Sequence, residues 1–312
     1  MVARGKAAHT ILFYGEKGSG RKTMAEYYCR ILLCSNTIHG KPCNECKSCH
    51  NIDNGIHPDI HFAEKSGKLG GYSVETAKHI CSEAYIKPNN GDRKVYIFSD
   101  CRKMDVRTQN TLLKIIEEPP PHVHFIFTSE EKGEFLPTII SRCVSLGVSS
   151  CTSDECRAAL SEQGYQNHID DAIGCFHGNI GMCIEYLTDD SVKKYIELTK
   201  LLTDSIINRD EYHLASYLCE TGKERGEIRI ILSLLDKQVR DAAVLAGGAE
   251  TEGIGCYKDG AEKLSHCITA SQAVRVHGAI DRAWKSIEAN ANSVLVMTAL
   301  CSEISRICGA RI

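Results

Sequence analysis

Nothing in this chain restricts its fold more than the stretch Gly15-Glu16-Lys17-Gly18-Ser19-Gly20-Arg21-Lys22-Thr23, set between a β-rich apolar run, Ile11–Tyr14, and a helical pattern over Lys22–Cys34. A glycine-rich loop between a strand and a helix lets backbone N–H groups face an anion, and the helix dipole adds to the attraction. That geometry belongs to parallel sheets. Further β-rich runs at Asp59–Ala63, Lys94–Ser99, His122–Thr128 and Cys143–Leu146 alternate with helical patterns at Val74–Ile86 and Asp105–Glu118. The last pattern stops at Pro119-Pro120-Pro121, where backbone donors disappear. Such alternation predicts a parallel sheet covered by helices on both faces.

After Ser149-Ser150 the strand signal ceases. Residues 151–189 read as a small helical unit with a break at Gly178-Asn179, and 190–312 read as a helical domain. Within it Ile230, Ile231, Leu234, Leu235 and Val239 recur at helical spacing, and Gly247–Asp259 reads as a connection between helices. The fold class is thus α/β plus all-α, with a nucleotide-fold domain over 1–150. The apolar run near the N-terminus leads directly into the glycine loop, so it reads as a buried strand rather than a secretory signal. No run reaches the ~18 apolar residues of a membrane span. The expected location is cytoplasmic. Residues 1–150 hold 20 Lys/Arg against 16 Asp/Glu, and residues 151–312 hold 17 against 24. That modest positive half is compatible with a phosphate backbone but is no dedicated DNA-binding footprint.

The register of the loop argues against hydrolysis. Four residues beyond Gly15 stands Gly20, followed by Arg21 where a phosphate-binding lysine belongs and Lys22 where a magnesium-binding hydroxyl belongs. An ammonium has no lone pair for Mg²⁺. Lys22-Thr23 serves only if the loop bulges by one residue; weak nucleotide binding by Gly15, Gly18, Gly20, Arg21, Lys22 and Thr23 stays open. The strand Val95–Phe98 ends in Ser99-Asp100 instead of the two acids that hold metal and activate water, a second defect. Taken alone, Asp100 is a weak signal, because an Asp at a strand end is usually a helix cap.

Seventeen cysteines are many. Cys81, Cys175, Cys183, Cys219, Cys301 and Cys308 sit singly in apolar helical stretches and read as reduced, buried small hydrophobes. Cys34, Cys43, Cys46 and Cys49 differ. Two successive C-x-x-C steps after a helix end suit four thiolates on tetrahedral Zn²⁺, a closed structural site over residues 34–50. An iron–sulfur cluster and unliganded core cysteines are the competing readings; His39, His50 and His57 are plausible but unnecessary ligands. The last candidate is Arg142, in Leu136-Pro137-Thr138-Ile139-Ile140-Ser141-Arg142-Cys143, just before an edge strand. Alone it reads as a surface ion-pair residue.

Taken in order, Gly15–Thr23, the four-cysteine module running into Asn54–Asp59, Thr108–Pro120, Phe125–Ser129 and Ser141-Arg142-Cys143 resemble the bacterial DNA polymerase III clamp-loader family of AAA+ proteins. The resemblance covers roughly residues 9–190. It implies an AAA+ P-loop sheet domain with an inserted zinc module, a helical lid, and a C-terminal helical collar that joins a hetero-pentamer. It implies that Arg142 is an arginine finger acting on a neighbour's ATP, and that Thr128 and Ser129 stand at the polar sensor. It also implies that Gly181 replaces the lid arginine. A spoiled nucleotide site with a retained Ser-Arg-Cys motif fits the family's delta-prime class. Its expected partners are gamma/tau and delta subunits, with the sliding clamp and primer–template DNA reached through the complex. The alternatives are an ATP-hydrolysing gamma/tau-type motor and, more distantly, a zinc-dependent nucleic-acid-binding module.

Overall fold

Successive residues of a strand face opposite sides of a sheet, and the N-terminal part of this chain buries both sides. The structure, a computed structural model, describes residues 7–67, 70–220, 225–249 and 253–309. Residues 1–6 of the N-terminal reading and 250–252 of the glycine-rich connection lie outside these. The chain divides into two compact units, Met1–Ser150 and Cys151–Ile312.

In the first unit, strands β1 (Thr10–Tyr14), β2 (Ile60–Phe62), β3 (Lys94–Phe98), β4 (Val123–Ser129) and β5 (Val144–Gly147) form one sheet in the order β2-β3-β4-β1-β5. All four pairings are parallel. Helices α1 (Arg21–Leu33), α2 (Lys47–Asp53), α3 (Val74–Glu83), α4 (Val106–Glu117) and the single turn α5 (Pro137–Ile140) connect them. Leu12, Tyr96, Phe98, Phe125 and Phe127 pack on one face against Ala77 and Ile80 of α3 and Leu112, Ile115 and Ile116 of α4. Ile11, Phe13, Val95, Ile97 and Ile126 pack on the other against Ala25, Tyr28, Cys29 and Leu32 of α1. Every residue of β3 and β4 is buried, as strands covered on both faces must be. The parallel sheet anticipated from strand–helix alternation is therefore present.

Boundaries differ by one to three residues, with identifiable causes. Asp59, expected to open β2, spends its carboxylate on the backbone N–H groups of Asn89 and Asn90 at 2.5 and 2.8 Å, fixing the turn that leads into β3. Helix α3 stops at Glu83, and Tyr85 and Ile86 beyond it are exposed rather than helical.

The second unit is all helical: α6 (Ser153–Glu162), α7 (Ile169–Phe176), α8 (Ile180–Thr188), α9 (Asp190–Asn208), α10 (Glu211–Glu220), α11 (Arg225–Ala246), α12 (Lys258–Cys267), α13 (Ala270–Glu288) and α14 (Ser293–Gly309). One apolar cluster joins α6, α7 and α8 to the start of α9 around Leu160, Phe176 and Cys183. The other joins α9–α14 around Leu202, Leu218, Leu235 and Ile304. The break at Gly178-Asn179 has a steric cause. Gly178 has φ +83°, and a Cβ there would stand 1.9 Å from the Cys151 carbonyl oxygen. Asn179 then caps α8 by accepting from the Met182 N–H at 3.1 Å.

The expectation of buried single cysteines holds for Cys183, Cys301 and Cys308, whereas Cys81 and Cys175 are half-buried. Cys219 corrects it. It is exposed, its sulfur 3.7 Å from Thr298 Oγ1. No described helix is long and apolar enough to cross a membrane.

Candidate functional site

The glycine loop leaves β1 at the carboxyl end of the sheet, the edge where parallel α/β sheets take ligands. The Gly15 N–H donates to the Ser129 carbonyl at 3.3 Å. A Cβ on Gly15 would lie 2.2 Å from the Val148 carbonyl oxygen, so only glycine fits between the end of β4 and the segment after β5. Gly18 and Gly20 adopt φ of 82° and 93°, and α1 begins at Arg21.

The two basic residues that follow take opposite environments. Arg21 turns inward, and its Nη2 lies 3.7 Å from Glu130 Oε1, with the two side chains only 13% and 8% exposed. Lys22 turns outward, 79% exposed, beside Glu26 one helical turn on. Thr23 is exposed as well. In this loop the inward cation is Arg21, not Lys22.

Asp100, just past β3, has φ 53° and caps no helix with its side chain. Its backbone N–H donates to Thr128 Oγ1 at 2.9 Å, which ties it to the end of β4. Its carboxylate takes Arg102 Nε at 2.7 Å and Arg102 Nη2 at 3.1 Å, and Lys65 Nζ stands 3.5 Å away. Burial works against this carboxylate, yet the hydrogen bonds from Arg102 and the charges of Arg102, Lys65 and Arg21 hold its pKa below the ordinary value. Arg102 also reaches Glu130 at 3.3 Å. Next to Glu130, Ser129 donates its hydroxyl to the Glu134 carboxylate, whose pKa burial raises. Lys65, Arg102, Glu130 and Glu134 belong to no motif, and sequence reasoning missed them. The available signal was position: Arg102 and Glu130 follow the carboxyl ends of β3 and β4.

Cys34, Cys43, Cys46 and Cys49 come together as the spacing predicted, their sulfurs all within 4.8 Å of one another. Cys34 ends α1, a bridge between Ile38 and Lys41 folds the intervening loop back, and Cys46 opens α2. The Cys34 sulfur lies 3.5 Å from that of Cys43 and 4.0 Å from that of Cys46. Four sulfurs at about 2.3 Å from one tetrahedral ion stand about 3.8 Å apart, so the cluster is compatible with structural zinc. Burial opposes ionisation of Cys46, but hydrogen bonds from the N–H groups of Cys49 and Ser35 and from neighbouring thiols draw its pKa down to about 6. Burial and the contact with Cys46 instead push Cys49 up to about 12, so the first proton leaves from Cys46. A thiolate is the form that binds metal. His57, a possible extra ligand, is otherwise engaged: Nε2 pairs with Ser48 Oγ at 2.7 Å, and Nδ1 accepts from the Asp59 N–H at 3.2 Å. Neither His39 nor His50 belongs to the cluster.

Arg142 sits between α5 and β5, where edge strand β5 begins. Buried Gln109 of α4 places this segment, donating to the Glu134 carbonyl at 3.0 Å and accepting from the Leu136 N–H at 2.8 Å. The Arg142 guanidinium donates from Nη1 to the Thr138 carbonyl at 2.8 Å and to Ser141 Oγ at 3.2 Å, and from Nη2 to Glu117 at 2.8 Å. Because Val144 pairs with Ile11 in parallel register, Arg142 lies by the start of β1. The glycine loop lies beyond the other end of β1, four residues or about 13 Å along the strand.

Residues 1–152 match the sequence profile of the family described as DNA polymerase III, delta subunit. Over this stretch, just under half of its length, the chain belongs to the DNA polymerase III clamp-loader family. Among clamp-loader relatives it is 33% identical over 141 residues to DNA polymerase III subunit delta′ of Pseudomonas aeruginosa, which is 45% of this chain and 43% of that protein. It is 28% identical over 209 residues to subunit delta′ of Bacillus subtilis, covering 64% and 61% of the two chains. Subunit tau of Bacillus subtilis is similar too, 32% identical over 148 residues, covering 47% of this chain and 26% of that protein. The chain thus spans less than two thirds of the length of each of these clamp-loader relatives.

Proposed function

We propose that this chain is the delta-prime subunit of a DNA polymerase III clamp loader, helping to load the sliding clamp on primed DNA without hydrolysing ATP itself. The observation that carries this reading is the contrast between its two candidate centres. At the glycine loop Arg21 replaces lysine and faces a carboxylate, Lys22 faces solvent, and Asp100 is claimed by Arg102 and Lys65. With Thr23 exposed and Asp100 paired to two cations, the loop is poorly arranged to hold Mg²⁺ as phosphoryl transfer requires. Arg142, by contrast, is exposed just before the edge strand, at the end of the sheet away from its own loop. A guanidinium so placed suits an adjacent subunit's ATP, where it would neutralise transition-state charge.

In this reading residues 151–189 form the lid, with Gly181 in place of its arginine, and 190–312 form the collar that joins gamma/tau and delta subunits in a hetero-pentamer. Zinc held by Cys34, Cys43, Cys46 and Cys49 braces the insertion. Clamp and primer–template DNA are met through the complex.

The similarity to subunit tau favours a second reading, an ATP-hydrolysing motor. Turnover by the purified chain decides between them. The delta-prime reading expects none above background; hydrolysis abolished by Lys22→Ala establishes the motor.

A further inference from the structure

A run of five charged side chains gathers at the carboxyl ends of β3 and β4. Lys65, Asp100, Arg102, Glu130 and Arg21 alternate in sign, and successive members approach to 3.5, 2.7, 3.3 and 3.7 Å. Glu130 is the anion opposite the inward cation of the glycine loop, and Arg102 is the cation opposite the acid past β3. Arg21 and Glu130 are largely out of water, so salt screens their pairing weakly. An arriving phosphate would have to leave Glu130 buried with one fewer counter-charge, which is costly. Two donors stand ready behind this arrangement. Among the described residues, Arg21 Nη1 and Ser19 Oγ are buried without a hydrogen-bond partner.

We infer that these five residues form an ionic lock in which Glu130 occupies Arg21 and keeps polyphosphate out of the loop. The inference rests on the non-hydrolysing reading and goes beyond it: the lock, rather than the loss of consensus residues, excludes the ligand. Removing the Glu130 charge therefore opens the site to a polyphosphate. The opened site needs no magnesium, because Lys22 cannot ligate it and Asp100 remains held by Arg102 and Lys65.

The test is calorimetric titration of the purified full chain with ATP and with inorganic triphosphate, each with magnesium and with EDTA. The wild-type chain, Glu130→Gln and Glu131→Gln are compared, the last removing an exposed neighbouring charge outside the lock. Circular dichroism confirms folding, and Glu130→Ser replaces Glu130→Gln if the amide variant does not fold. We expect no binding by wild type or Glu131→Gln. Glu130→Gln should gain at least about tenfold in affinity for both ligands, equal with and without magnesium. Wild-type binding as tight as that of Glu130→Gln overturns the lock, as does equal tightening in Glu131→Gln or no gain in any Glu130 variant. ATP turnover by the wild-type chain, measured on the same samples, overturns the non-hydrolysing reading; binding without turnover overturns the lock alone.

Discussion

Arg142 Nη2 donates to Glu117 Oε1 at 2.8 Å, joining the segment just before the edge strand to the last residue of α4. Both side chains are more than a third exposed, 38% and 44%. Such pairs contribute about 0–1 kcal/mol to stability. Arg142→Ala and Glu117→Ala should therefore leave the thermal midpoint within about 3 °C of wild type, measured by calorimetry. A large fall would make Arg142 a structural residue and remove the reason to regard it as free for a partner.

The four-cysteine cluster predicts a bound metal. Elemental analysis of protein purified under reducing conditions without chelator should give about one zinc per chain. Cys43→Ser or Cys46→Ser should lose it and destabilise the chain by several kcal/mol, since metal binding and local folding are coupled in small sulfur sites. Metal-free wild-type protein with unchanged stability would contradict the assignment.

His124 makes stability depend on pH. It is buried on β4, stacked on His9, and its Nδ1 donates to the Ala8 carbonyl at 2.8 Å. Burial, assisted by His9 and Arg93 and opposed by the Ala8 hydrogen bond, lowers its pKa from 6.5 to about 4. Between those values the unfolded chain takes up a proton that the folded chain refuses. Stability from this group is full above pH 6.5 and declines as pH falls toward 4, by on the order of 3 kcal/mol. Burial lowers the pKa of His57 and His61 too, so they act in the same direction. Urea melts across this range should show the decline, shallower in His124→Gln.

Gly178→Ala tests the joint before α8. The positive φ and the 1.9 Å approach to the Cys151 carbonyl oxygen leave no room for a methyl group. We expect a loss above about 1 kcal/mol, against little change for Gly174→Ala, where a Cβ meets nothing within 4 Å.

These residues also mark what was legible in the sequence. Strands such as β4 are read from a run rich in aromatic and β-branched residues, and α4 from its period and its proline stop, because those signals are local. The four cysteines are legible because the spacing that brings their sulfurs together spans only 16 residues, Cys34 to Cys49. The run from Lys65 to Glu130 is not legible, because parallel topology assembles it from the ends of separate strands. The same holds for the Arg142–Glu117 pair, whose members are distant in sequence. Exposure was misjudged where composition was the only guide: Cys219 lies in an apolar-looking segment, yet faces outward from α10.

The account stands most directly on the ATPase of a reconstituted clamp-loader complex containing this chain as Arg142→Ala. An arginine finger supplied in trans contributes about 10³–10⁵ to turnover at the site it completes. The account predicts a fall of at least about tenfold in DNA- and clamp-stimulated hydrolysis, with complex assembly unchanged by size-exclusion chromatography. An assembled Arg142→Ala complex that hydrolyses ATP at the wild-type rate would contradict it.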